Sequence, residues 1–396
     1  MPQHFVYMDY NATTPLRPEV KDIMVKALDI YANASSMHEA GRRARAEIEQ
    51  ARASVAAIIG AADSSSVYFT SGGSESNNTV FMTMYDIGRR TPSRRKIITT
   101  SIEHPCVMNS AAYLASEGFP VVYLPVDAYG RVDMEAYRKE LTPDTLLVSV
   151  MAANNEIGTV EDIRTIAKMA KAVGAYVHTD ATQAIGKISV SVEDWGVDYL
   201  TMSCHKIYGP KGIGALYVRP RSPIVPLIRG GHQENGVRAG TYNNLGIIGF
   251  GKAAELALKD LPEFSARLRS LRAMLKDGLV ARIPHVKVNG HPTEVLPNTL
   301  NISFPGAEGE SILLSLDLEG IQVSTGSACA SGSLEPSHVL LATGVGPELA
   351  HGSIRFSLGK YTTEEEVLYV IEKLPPIIER LRRMSTVSAT ETAAVN

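Results

Sequence analysis

A lysine whose amine forms a Schiff base must be partly desolvated, held still and closely approached by its ligand. The stretch SCHKIYGPKG, residues 203–212, offers Lys206 such a setting, beside His205 and among Gly209, Gly212 and Gly214, which let backbone pass close by. Three other stretches carry complementary chemistry. In SGGSESNN, Gly72, Gly73 and Ser74 stand where a helix would begin, and small residues, bare N–H groups and a positive dipole end together suit a phosphate. The same residues also read as a plain turn and helix cap. Asp180 and, three residues on, Gln183 could hold a protonated ring nitrogen and reach an oxygen of the same ring. Asp180 could equally cap the next helix. Asn154-Asn155-Glu156 is polar and readable as a turn.

All four stretches follow short apolar runs. VYFT, KIITTS, VVYLP, TLLVSVMA, AYVHTD, YLTMSC and GALYV alternate with helical patterns such as EDIRTIAKMAKAVG. That rhythm predicts a mostly parallel sheet covered by helices, whose ligand crevice lies beyond the carboxyl ends of the strands. A long amphipathic helix is predicted from Glu39 to Ile59, stopped at Gly60, with Ile48, Ala51, Val55, Ile58 and Ile59 on one face. A phosphate cradle, a ring-nitrogen acid, a ring-oxygen donor and a glycine-flanked lysine at successive strand ends describe one cofactor, pyridoxal phosphate.

Around Leu258 to Phe264 the pattern changes, and a charged helix carrying Phe264, Leu268, Leu271 and Leu275 leads into strands KVNG, TLNISF and GSIRFSLG. The expected division is a large cofactor-binding domain over 14–258, a smaller α/β domain over 1–13 and 259–384, and a disordered tail over 385–396. The last helix is expected to open at a capping box of Thr362 and Glu365 and to bend at Pro375 and Pro376.

The chain has 396 residues, 44% hydrophobic and 20% charged, with a formal net charge of −3 and one Trp. With no Lys/Arg block, nucleic acid and anionic membrane surfaces are not expected as partners. No apolar run approaches the length of a spanning helix, so a cytoplasmic location is expected. Cys106, Cys204 and Cys329 are too far apart for a C-x-x-C motif, and neither a metal site nor a disulfide framework is expected. Cys329 lies in STGSACASGS, all small and polar residues that suit an exposed loop. Cys106 and Cys204 have apolar neighbours and are expected to pack quietly. Arg355 alternates with Ile354 and Phe356 and should point away from the face those two bury.

The order MDYNATTP, TSGGSESNN, EHPCV, NNEIGT, HTDATQAIGK, SCHKIYGPKG, RAGTYN, STGSACASGSLEPSHVL and AHGSIRFSLGKYTT resembles the cysteine desulfurases of the NifS/IscS type. These belong to class V of the fold-type I pyridoxal phosphate enzymes, and the match runs from about Tyr7 to Thr363. The resemblance implies a fold-type I transferase with a large, mostly parallel seven-stranded sheet. It makes Lys206 the Schiff-base lysine and Asp180 the partner of the pyridine nitrogen. It places Gln183 and Asn155 near the ring oxygen and stacks His104 on the ring, with a role in proton transfer. Phosphate contacts are implied for Gly73, Ser74, Ser203 and His205, with Thr241 reaching across a homodimer. Arg355, with Asn155, would receive the substrate carboxylate. Cys329 would be the nucleophile that carries sulfur from L-cysteine to an acceptor or iron–sulfur scaffold protein, with transient ligation of a cluster the one metal contact implied. The long segment after Cys329 and the GSLEPSHVL wording are most similar to the NifS branch.

Another class V enzyme, such as a selenocysteine lyase or an aminotransferase, would share the lysine and aspartate without requiring the thiol. A non-catalytic docking protein would have no use for Lys206, Asp180 and Cys329 together. A nicotinamide oxidoreductase would need G-x-G-x-x-G, which GPKGIG does not supply.

Overall fold

The computed structural model describes residues 5–325 and 335–385. Cys329 and the tail expected to be disordered lie outside the described residues, save Ser385 of that tail. Strands are numbered in chain order: β1 Val6–Tyr7, β2 Val67–Thr70, β3 Lys96–Thr100, β4 Val121–Leu124, β5 Thr145–Ser149, β6 Tyr176–Asp180, β7 Tyr199–Ser203 and β8 Gly214–Val218. Next come β9 Lys287–Asn289, β10 Thr299–Ser303, β11 Ile321–Gln322, β12 Ser324–Thr325 and β13 Ser353–Ser357.

The seven apolar runs become the seven strands of one sheet, in the order β2-β8-β7-β6-β5-β3-β4. Strand β8 runs antiparallel to both neighbours, β2 and β7, and the remaining pairs are parallel. Both faces are apolar, as expected of a sheet covered on two sides. One face packs Val148, Val177 and Leu200 against Ile48 and Val55 of the helix Glu39–Ile58 and against Phe250. The other packs Ile97, Leu147 and Leu216 against Phe81, Met84 and Leu114.

A four-stranded antiparallel sheet, β12-β13-β10-β9, forms a second core with Leu268, Leu275, Val367 and Leu374. Strand β1 joins this end of the molecule by parallel pairing of Val6 with Ile321 and Tyr7 with Gln322. The pattern change near Leu258 is not a break in the chain. One helix, Asn244–Arg282, runs through it and through Pro262, giving Ile247 and Phe250 to the large core and Leu268, Leu271 and Leu275 to the small one.

The last helix, Glu364–Met384, continues through Pro375 and Pro376. Its capping box is Thr363 with Glu366, one residue beyond the expected Thr362 and Glu365. Thr362 is instead fully buried, its hydroxyl accepting from Gly359 N at 2.9 Å. Two adjacent threonines before three glutamates offer two registers, and the packing of Thr362 selects the later one. Among the described residues no helix is long and apolar enough to cross a membrane.

Candidate active site

The ends of β2, β3, β5, β6 and β7 open on one side of the large sheet, and a cavity of about 360 Å³ lies there. Gly73, Ser74, His104, Asn155, Asp180, Gln183, Ser203, His205, Lys206 and Arg355 all line it. Thr241 is exposed and does not line this cavity. Cys329 lies outside the described residues.

Lys206 closes a short 3-10 turn, Cys204–Lys206, directly after β7. Its Nζ donates to the carbonyls of Asn11 and Ala12 at 2.6 and 2.7 Å. The neighbouring glycines have separate tasks. A side chain at Gly209 would collide with Cys204 Sγ, and one at Gly214 would stand 2.6 Å from Gly72 Cα, so both sites require close backbone approach. Gly212 has open space and is there for its φ of +77°.

Asp180 ends β6. Its Oδ1 accepts from Thr182 N at 2.9 Å, a local turn contact, and its Oδ2 accepts from Asn77 Nδ2 at 2.7 Å. The cap reading does not hold, because a turn and not a helix follows β6; Oδ1 fixes that turn while the residue also lines the cavity. Gln183 Nε2 donates to Asn11 O at 3.0 Å, while its Oε1 accepts from Lys187 Nζ at 2.5 Å. That lysine fixes which end of the amide is the donor. Lys187 is wholly buried, which holds its pKa well below the ordinary lysine value.

The helix Gly73–Arg90 points its first residues at the cavity. Beside them Thr182 Oγ1 is buried without a partner, 3.2 Å from where a Cβ on Gly73 would stand. Bare helix N–H groups, the hydroxyls of Ser74, Ser203 and Thr182, and His205 form a donor set suited to an anion. Burial holds His205 down to about 4, so it is a neutral hydrogen-bonding ring here. The orphan hydroxyl, the space above Gly73 and the lysine within the same cavity fit pyridoxal phosphate.

His104 caps the helix Pro105–Ser116, its Nδ1 accepting from Cys106 N at 3.2 Å. Desolvation lowers its pKa below the ordinary imidazole value. Cys204 is fully buried, as expected. Cys106 packs against the core that holds Val107 and Leu114, as expected, and it also lines the cavity, with its thiol 3.0 Å from His104 Nδ1. Burial pushes that thiol up to about 12.

Arg355 in β13 turns away from the core that holds Ile354 and Phe356 and is only 2% exposed. Its Nη1 donates to Asn155 O at 3.1 Å and its Nη2 pairs with Asp9 Oδ1 at 2.8 Å. Residue-by-residue reading did not single out Asn77, Asp9, Asn11 or Lys187. Asn77 falls one turn beyond Gly73 on the same helix, a spacing that signals a shared face.

The chain matches the class-V aminotransferase family over residues 6–370. It belongs to that family. Within the class-V family it is 51% identical over 382 residues to the cysteine desulfurase IscS of Dictyoglomus turgidum, covering 96% of each chain. It is 48% identical over 384 residues to that of Clostridium botulinum, again covering 96% of each. A solved structure of a NifS-like protein superposes with a TM-score of 0.89 at 40% identity, covering 95% of this chain and 100% of that one. This class-V chain is thus of the IscS/NifS cysteine desulfurase type, and its family uses pyridoxal phosphate.

Proposed function

We infer that this cysteine desulfurase takes sulfur from L-cysteine, leaves L-alanine, and carries the sulfur as a persulfide on Cys329 to an acceptor thiol or an iron–sulfur scaffold protein. The observation that supports the reading most directly is one cavity lined by Lys206, Asp180, His104 and Arg355 together. Pyridoxal phosphate, when bound there, holds the substrate amino group and draws electrons from Cα.

The protein's own groups then have separable tasks. Gly73, Ser74, Ser203 and His205 hold the phosphate, and Thr241 of a second subunit adds to them in a homodimer. Asp180 carries a negative charge to the ring nitrogen and keeps it protonated. Gln183 and Asn155 sit at the ring-oxygen side, with the donor end of Gln183 set by Lys187. Arg355 receives the α-carboxylate, a task suited to its planar fork of donors. Lys206, released from the carbonyls of Asn11 and Ala12, takes the Cα proton on Nζ. The Cys329 thiolate attacks the substrate sulfur, so that an S–S bond forms as the C–S bond breaks; a reducing thiol later removes the sulfur as sulfide. Domain limits of 14–258 and of 1–13 with 259–384, and a cytoplasmic location, complete the reading.

The test is the visible spectrum before and after borohydride, with alanine and sulfide assayed on adding L-cysteine. A cofactor band reduced only when Lys206 is present, and sulfide release lost in Cys329→Ser while the band persists, is the expected result. Full turnover in Cys329→Ser would point to another class V activity, and a protein that stays colourless with added pyridoxal phosphate would remove the assignment.

A further inference from the structure

Asn77, Cys106 and His104 form a hydrogen-bonded chain that starts on Asp180. Asn77 is completely buried, and its Nδ2 donates to Asp180 Oδ2 at 2.7 Å and lies 3.1 Å from Cys106 Sγ. An amide nitrogen has two hydrogens and no lone pair to offer, so the sulfur accepts from it. The thiol hydrogen is then directed at His104 Nδ1, 3.0 Å away. The backbone N–H of Cys106 donates to the same Nδ1 at 3.2 Å. A ring nitrogen that accepts from an N–H cannot itself carry a proton, which leaves the imidazole proton on Nε2.

We propose that Cys106 is a positioning residue for His104: its thiol, oriented by Asn77, fixes the imidazole with its proton on Nε2 and couples it to the Asp180 carboxylate. This rests on the reading of the cavity as the cofactor site with His104 inside it. Cys106 takes no covalent part. His104 enters the reaction able to give a proton from Nε2 and unable to take one at Nδ1 without breaking two hydrogen bonds. The burial that pushes the thiol up to about 12 keeps its hydrogen in place at neutral pH. The charged and titratable groups that act on His104 are Asp180, which favours the imidazolium, and Lys206 and His338, which oppose it. The thiol acts in the same sense as the last two, because a donor to Nδ1 stabilises the neutral ring.

The test uses cofactor-loaded protein at rest, labelled with [15N]histidine. Two-bond 1H–15N spectra would be recorded across pH for the wild type, Cys106→Ala and Cys106→Ser, with His104 signals identified by their loss in His104→Gln. The wild type is expected to show an unprotonated Nδ1 and a protonated Nε2. Cys106→Ala is expected to raise the His104 pKa by about half a unit to one unit, the size of one hydrogen bond, and Cys106→Ser to restore it. The acid limb of the kcat profile for alanine formation should follow the same order. A wild-type Nδ1–H, an unmoved pKa in Cys106→Ala, or a Cys106→Ser that moves with Cys106→Ala would overturn the proposal. The tautomer is read without turnover, so a failed desulfurase assignment would appear in the alanine assay alone.

Discussion

Asp9 and Arg355 meet in an ion pair, 2.8 Å between Oδ1 and Nη2, that joins the segment after β1 to the middle of β13. The guanidinium is almost wholly buried, whereas the Asp9 side chain keeps 19% exposure, so the carboxylate is the movable partner. With Nη1 on Asn155 O, the arginine is aimed into the cavity from two sides.

Removing that arginine should therefore weaken substrate binding before it affects the chemistry. Arg355→Ala is expected to raise the KM for L-cysteine about ten- to a hundredfold, the loss of a charge-assisted hydrogen bond. Asp9→Asn keeps the shape and loosens the aim, with a smaller rise of roughly three- to tenfold. Steady-state kinetics of alanine formation separate the two parameters. A fall in kcat at unchanged KM in Arg355→Ala would assign the arginine to a different step.

Two sets of buried groups should give stability opposite dependences on pH. Burial raises Glu103 to about 8 and Glu156 to about 7. A carboxyl raised in the folded state holds its proton there while the unfolded chain has lost it. Its stabilising contribution is present below the ordinary value near 4.5 and declines as pH rises through 7 to 8. His178 and His205, both lowered to about 4, act oppositely: the unfolded chain binds protons first, so stability falls as pH drops from about 6.5 to 4. Glu103→Gln keeps the acceptor for Thr100 Oγ1 and Met151 N and removes the titration. Thermal unfolding across pH should show the alkaline decline flattened in this variant and the acid decline unchanged.

The backbone under Lys206 has no spare room. Gly209→Ala drives a methyl into Cys204 Sγ and is expected to cost about 1–3 kcal/mol of stability and to lower cofactor occupancy. Cys204→Ala in the same chain should recover part of both. Urea unfolding and the cofactor absorbance measure the pair, and strict additivity of the two changes would mean that they do not meet.

Strand ends were legible because β-branched runs stop at polar or glycine residues, and with them came Gly73, Asn155, Asp180 and Lys206, whereas His104 came from the family resemblance alone. Alternation with Ile354 and Phe356 gave the face of Arg355, and its place in the site came from the family resemblance. The second role of Cys106 was not legible: apolar neighbours in sequence suggested the packing it has, and nothing local signalled the contacts of its thiol with Asn77 and His104. Asp9 and Lys187 act through contacts with residues distant in sequence or by a fully buried amine, and no local pattern carries either. The register of the last helix failed on a choice between equivalent threonines that a tertiary contact decides.

The helix Asn244–Arg282 behaves as a keyed shaft. Its early turns are locked in the core under Lys206 and its later turns in the core behind Arg355, so the angle between them is set by residue count. Deleting or inserting one residue near Leu258 would turn the far end by about 100°. Leu268, Leu271 and Leu275 would leave their core, and the arginine and the lysine would no longer line one cavity. The spacing along that one helix is as much a part of the active site as the residues that line it.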